Sequence, residues 1–219
     1  EFQNIILLTR ILKEPERFSA VLVDESVHGV TADLLAEQVE RAGFAVPMRH
    51  ICDSAGSEYY PEYHFDAVRL GRRLIMDHPT QPRGNVRECA SWRSCIMAVH
   101  RRHAGEKLGY GGVYTLDHDA DVAIVGVGYG DGLYLPLVEM DGDILVRGER
   151  RPMLACCMDQ CMVDVTGMEV QIGEEVTLFG FDREGNALLS QDVANFCGAN
   201  EGCALTSALS PRVERIIEN

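Results

Sequence analysis

Apolar residues recur along this chain in two different rhythms. In "NIILLTRILK", residues 4–13, Ile5, Leu8 and Leu12 fall on one helical face, Lys13 sits in the last turn and Pro15 follows as a stop. The short apolar run "SAVLV" predicts a strand. Thr31 then precedes "ADLLAEQVERAG", where Leu35, Val39 and Ala42 keep helical spacing and Gly43 closes the end. "AVPMRHIC" and "FDAVRLG" predict two further extended pieces. Helix and strand thus alternate up to about residue 78, the rhythm of consecutive βα units in a parallel sheet or barrel.

From about residue 88 the pattern shortens to strands. "SCIMAVHR", "DVAIVGVGY", "DILVRG", "MVDVTG" and "EEVTLFG" each predict one, separated by turns such as "DGD" and "RGER". The intervening "DHPTQPRGN" carries two prolines and a glycine and has linker composition. The expected fold is therefore α/β plus β: an α/β part over residues 1–78, a linker over 79–87 and a mainly β domain over 88–219.

Composition narrows the chemistry. A net charge of -14 repels phosphate backbones and anionic lipid, so neither nucleic acid nor a membrane is an expected partner. No apolar run approaches the ~20 residues of a membrane helix, and no leader pattern opens the chain, which gives a cytoplasmic reading. The eight cysteines lack the paired C-x-x-C spacing of a zinc site, so reduced, buried thiols and no metal are expected.

"VGVGYGDGLY", residues 125–134, places Gly126, Gly128, Gly130 and Gly132 at alternate positions around Tyr129. A dinucleotide loop wants its third glycine three residues after the second, opening a helix; Asp131 stands there, and the extended "LYLPLV" follows. The rhythm serves something other than a nucleotide phosphate.

"HICDSAGSEYYPEYHFDAVRLG", "LGYGGVYT", "VGYGDG" and "CCMDQCMVDVTG" occur in the order and spacing of the alanine racemases, and the chain resembles that family from about residue 18 onward, through a closing "ALSPRVERI". The resemblance implies the last βα units of an incomplete (β/α) barrel followed by the family's carboxy-terminal β domain, a pyridoxal phosphate cofactor and a head-to-tail homodimer. It implies an amino-acid racemase acting on alanine or a similar small amino acid, whose product D-alanine serves cell-wall synthesis. Racemisation takes the α proton from one face and returns it on the other, so two bases are needed; Tyr110 of "GYGG" resembles the family's tyrosine base. Tyr129 matches a residue at the substrate entrance. Arg69 matches the arginine on the cofactor's pyridine nitrogen, where a group that never deprotonates keeps that nitrogen neutral. Ser54 and the backbone of Gly71 and Arg72 match the phosphate site, and Met158 and Asp159 match the loop that meets the substrate carboxylate.

The sequence also departs from the family. The Schiff-base lysine lies there in a run like "VVKANAYGHG", whereas Lys13 sits in "ILKEPE" and Lys107 in "GEKLGY". The isolated chain is therefore expected to be inactive, needing a partner that supplies the rest of the barrel; a non-catalytic dimerisation or ligand-binding module is the alternative. Asp24 stands where the family usually has a histidine, Ala155 where "GRVCMDQ" has its arginine, Arg72 where it has an apolar residue, and Cys203 or Gly202 in place of a phosphate-site tyrosine. Loss of that ring is expected to widen the pocket toward serine.

Overall fold

Two parallel strands, β1 (Val21–Leu22) and β2 (Arg49–His50), pair with Val21 opposite Arg49 and Leu22 opposite His50. In this computed structural model the described residues are 21–22, 37, 40–43, 48–50, 52–75, 87–133, 142–196 and 203–217. The chain divides into two compact units, Glu1–Met76 and Asp77–Asn219. Parallel neighbours need a crossover between them. Glu37, Glu40 and Arg41 of the expected second helix are helical, and Gly43 (φ +88°) donates back to the Glu40 carbonyl at 2.9 Å, closing the helix as its sequence predicts. The expected helix over 4–13 and the linker over 79–86 lie outside the described residues.

Beyond β2, helix α1 (Ser54–Tyr59) starts at Asp53, whose carboxylate accepts the Gly56 amide at 2.8 Å. "FDAVRLG" departs from its expectation. It begins in a turn, with Phe65 at φ +47°, and runs on without forming a strand. It still lies along the β2 segment: Asp66 N donates to the Arg49 carbonyl and Arg69 N to the Cys52 carbonyl, at 3.0 and 2.9 Å.

The second unit is an antiparallel sheet rolled into a ring. Its strands are β3 (Trp92–Arg102), β6 (Ala120–Val125), β7 (Asp143–Val146), β8 (Glu149–Cys156), β9 (Cys161–Asp164), β10 (Glu175–Phe181) and β11 (Ala187–Leu188); a separate hairpin joins β4 (Lys107–Leu108) to β5 (Tyr114–Thr115). The order β11-β10-β3-β6-β9-β8-β7 closes because β10 also pairs β7, through Val176↔Val146 and Thr177↔Leu145. Closure leaves the inward faces of six strands packed on one another. Ile96, Val125, Ile144, Met153, Val163 and Phe179 form that core, with Phe179 edge-on to Trp92 at 6.1 Å. Burying one such side chain contributes about 1.5–3 kcal/mol.

Alternation along β6 feeds two cores at once. Ala123 and Val125 join the main cluster, whereas Ala120 and Val122 join a smaller one with Leu108, Leu116, Leu154 and Ala155. The "RGER" turn is a two-residue hairpin: Val146 pairs Glu149, and Arg147 and Gly148 both have positive φ, at +50° and +76°. Two helices, α2 (Ser190–Phe196) and α3 (Cys203–Ala208), follow β11, and residues 209–213 then return to the sheet.

Three further features bear on function. No helix among the described residues is long and apolar enough to cross a membrane. Among those residues no three His, Cys, Asp or Glu side chains gather as a metal site. The expectation of uniformly buried thiols is corrected: Cys52, Cys157 and Cys161 are buried and Cys156 half-buried, but Cys89 and Cys95 are exposed, because they stand on the outward side where β3 begins.

Candidate functional site

The alternate glycines around Tyr129 are explained by close backbone approach. Tyr129–Asp131 forms a single 3₁₀ turn laid against the loop that joins β8 to β9. Tyr129 N donates to the Cys157 carbonyl at 3.1 Å and Gly130 N to the Met158 carbonyl at 2.8 Å. A Cβ on Gly128 would stand 2.3 Å from the Cys157 oxygen, and one on Gly130 2.9 Å from the Met158 oxygen. Gly128 N is taken by the Asp131 carboxylate at 2.8 Å. The amides at 128–130 are thus used within the protein, and no phosphate cradle forms. Tyr129 is half-buried; Met158 and Asp159 are exposed beside it.

Tyr110 stands on a second glycine turn, Tyr110–Gly112, between β4 and β5. Gly109, Gly111 and Gly112 take φ of +75°, +67° and +66°, so glycine serves here for its left-handed backbone. The Tyr110 side is 60% exposed, which leaves the hydroxyl accessible. A Cβ on Gly109 would meet Val113 and Ala155, at 2.9 and 3.1 Å. Ala155 is fully buried there, packed beside the Tyr110 turn.

Charges lie beside that smaller core. His118 bridges Asp117 (Nδ1 to Oδ1, 2.5 Å) and Asp164 (Nε2 to Oδ2, 3.1 Å). The Asp117 bond and then the Asp164 bond raise the imidazole above its ordinary pKa. Where β8 meets β9, burial pushes the Cys156 thiol up to about 11 and Cys161 higher still, so both remain protonated and unreactive near neutral pH.

In the first unit, Ser54 and Gly71 come together: the Gly71 amide donates to Ser54 Oγ at 3.2 Å. Ser54 is buried at the start of α1, and no atom lies within 4 Å of where a Gly71 Cβ would be, so the backbone there has an open side. Arg69 is exposed and anchored by its own amide. The side chains of Arg72 and Cys203 lie outside the described residues, as does Gly202. Arg73 is buried and bidentate on Glu58, with Nη2 2.8 Å from Oε2 and Nη1 buried without a partner. The Ser54 hydroxyl and the open backbone beside it are groups of the kind that can face a phosphate, whereas Arg73 is committed to Glu58. Sequence reading singled out Ser54 and Gly71, which the structure brings together, and gave no role to Arg73, the second arginine of "LGRRLI". It also gave Asp131 and Arg212 no role.

A family model described as "Alanine racemase, C-terminal domain" matches residues 89–217. The alanine racemase of Deinococcus deserti is 42% identical over 125 residues, covering 57% of this chain and 34% of that protein. That of Desulforamulus reducens is 33% identical over 171 residues, covering 75% of this chain and 45% of that protein. The chain therefore spans about half or less of the length of these curated relatives. Among solved structures, alanine racemase from Streptomyces lavendulae superimposes with a TM-score of 0.75 at 23% identity, over 95% of this chain and 59% of that one. The Streptomyces coelicolor enzyme gives 0.74 at 24%, over 96% and 60%.

Proposed function

Because the chain belongs to the alanine racemase family through the domain spanning residues 89–217, we propose that it is the carboxy-terminal part of a pyridoxal-phosphate-dependent racemase. Its substrate is alanine or a similarly small amino acid, interconverted between L and D forms in the cytoplasm. The observation that carries this reading is the exposed Tyr110 ring on a fixed glycine turn of that domain, where a base needs both access and a defined direction.

Tyr110 holds and returns the α proton at its phenolic oxygen on one face of the substrate. Tyr129 narrows the approach, and the Met158–Asp159 loop receives the substrate carboxylate. In the first unit Ser54 and the backbone of Gly71 and Arg72 would hold the cofactor phosphate, while Arg69 would serve its ring nitrogen as a donor that never gives up its own proton. Bound pyridoxal phosphate supplies the electron sink that makes the α proton removable. Neither Lys13 nor Lys107 has the family's lysine context, so the second base comes from a barrel half outside these residues. Residues 1–78 are read as barrel and 88–219 as the β domain, which completes the site of a partner subunit in a homodimer.

The test joins residues 1–219 to the lysine-bearing half of a curated relative and follows exchange of the alanine α proton for deuterium by NMR. Exchange is expected in the fusion and absent from the 219-residue chain alone, and Tyr110→Phe is expected to cut kcat roughly 10²–10⁴-fold. A fusion that melts cooperatively and binds pyridoxal phosphate, yet exchanges no α proton, would overturn the reading.

A further inference from the structure

Asp131 and Arg212 join elements that are 81 residues apart in sequence. The Asp131 side chain is 16% exposed, and its two oxygens are divided between two duties. Oδ2 accepts the Gly128 amide at 2.8 Å and so holds the Tyr129 turn; Oδ1 accepts Arg212 Nε at 2.6 Å. Arg212 Nη2 donates in turn to the Met158 carbonyl at 3.5 Å, the same oxygen that receives the Gly130 amide at 2.8 Å. One guanidinium therefore touches the acid inside the tyrosine turn and the backbone of the carboxylate loop. Its own segment is tied down: Ser210 N donates to the Asp131 carbonyl at 2.9 Å, and Arg215 donates to the carbonyls of Leu209 and Ser210 at 3.0 and 2.6 Å.

We propose that Arg212 is a positioning residue that sets the Tyr129 turn and the Met158–Asp159 loop at a fixed separation for the substrate. The proposal rests on the reading above that these two elements face substrate. An ordinary surface ion pair contributes little and fixes nothing. This pair differs because its acid is mostly buried and already bonded to the turn's backbone, and because the planar fork reaches two acceptors at once, which a lysine's single ammonium on a flexible stem does poorly.

The test begins on the 219-residue chain, by NMR hydrogen exchange at Tyr129 and Gly130 in Arg212→Met, Arg212→Lys and Asp131→Asn. Arg212→Met is expected to speed exchange at both amides at least tenfold while Ala123 to Val125 of β6 keep their rates, with Arg212→Lys intermediate. Unchanged exchange at the turn, or equal acceleration in β6, overturns the proposal; Arg212→Lys supplies the reading where the methionine variant does not fold. In the racemase fusion, Arg212→Met is expected to raise KM for alanine at least fivefold with kcat within twofold, as loss of uniform binding requires. A fall in kcat at unchanged KM overturns the positioning role. A wild-type fusion without activity counts against the racemase reading alone, since the exchange rates still decide the clamp.

Discussion

The two tyrosine turns share the string Gly-Tyr-Gly and use their glycines for opposite reasons. At Tyr110 the glycines are needed first for backbone twist: three of them are left-handed, and while a Cβ on Gly109 or Gly112 would also crowd side chains, one on Gly111 would meet open space. At Tyr129 the flanking Gly128 and Gly130 carry no positive φ and are needed because nothing but hydrogen fits between two backbones. The foundations differ as well. The Tyr110 turn rests on the small cluster around Leu108, Leu116 and Ala155, and the Tyr129 turn leads into the main core through Val127 and Leu133. A string of letters therefore does not define what a glycine motif does; the atoms that approach it do.

The largest test of that difference is Gly128→Ala. The new methyl group would meet a carbonyl at 2.3 Å, and backbone cannot step aside as a flexible side chain can. A loss of about 3 kcal/mol is expected in urea unfolding, with the Met158 loop displaced. Gly111→Ala should cost only about 1 kcal/mol, the strain of one left-handed alanine in free space. Equal losses at the two positions would erase the distinction. The smallest effect is a dependence on pH. His118 has its pKa raised by Asp117 and Asp164, so its contribution is complete below the unfolded value of 6.5 and is lost as pH rises through the higher folded value. The His118 bridge to Asp117 and Asp164 should therefore loosen as pH rises above 6.5. Thermal melts at pH 6 and pH 8.5 are expected to differ less in His118→Gln than in the parent protein, and an unchanged difference would show that the His118 bridge to Asp117 and Asp164 adds no stability.

Much of the second unit was legible from short apolar runs, because β6, β7, β9 and β10 each bury most of their side chains against a core and β3 anchors itself there through Trp92 and Ile96. β8 escaped notice because Arg150, Arg151 and Pro152 occupy its first half, and only Met153, Leu154 and Ala155 are buried. α1 and α3 are each six residues long and α2 seven, less than the two turns a helical period needs to show itself. "FDAVRLG" has strand composition yet follows β2 through isolated hydrogen bonds, a pattern no local periodicity encodes. At the candidate site, Tyr129 was marked by its glycines, and Tyr110 and Ser54 by their places in the resemblance. Arg212 was not, since its meaning lies in Asp131, and nothing in "SPRVER" points back to "GYGDG".

The stitch between Gly132 and Ala208 bears on the order in which the molecule is made. A Cβ on Gly132 would stand 2.3 Å from the Ala208 oxygen, and the Ser210 amide closes onto Asp131, so the Tyr129 turn takes its final shape only against residues synthesised long after it. Every strand of the ring is synthesised before Ser210 and can pair before it, even though β3 closes on β10 (Cys95 opposite Glu175) across a span as long as the one from Asp131 to Ser210, whereas this turn waits for residues not yet made. During translation the ribosome would therefore release a nearly finished ring whose Tyr129 corner is its last part to lock. Nascent chains halted before Ser210 should present that corner to proteases, and chains extended past Arg215 should protect it.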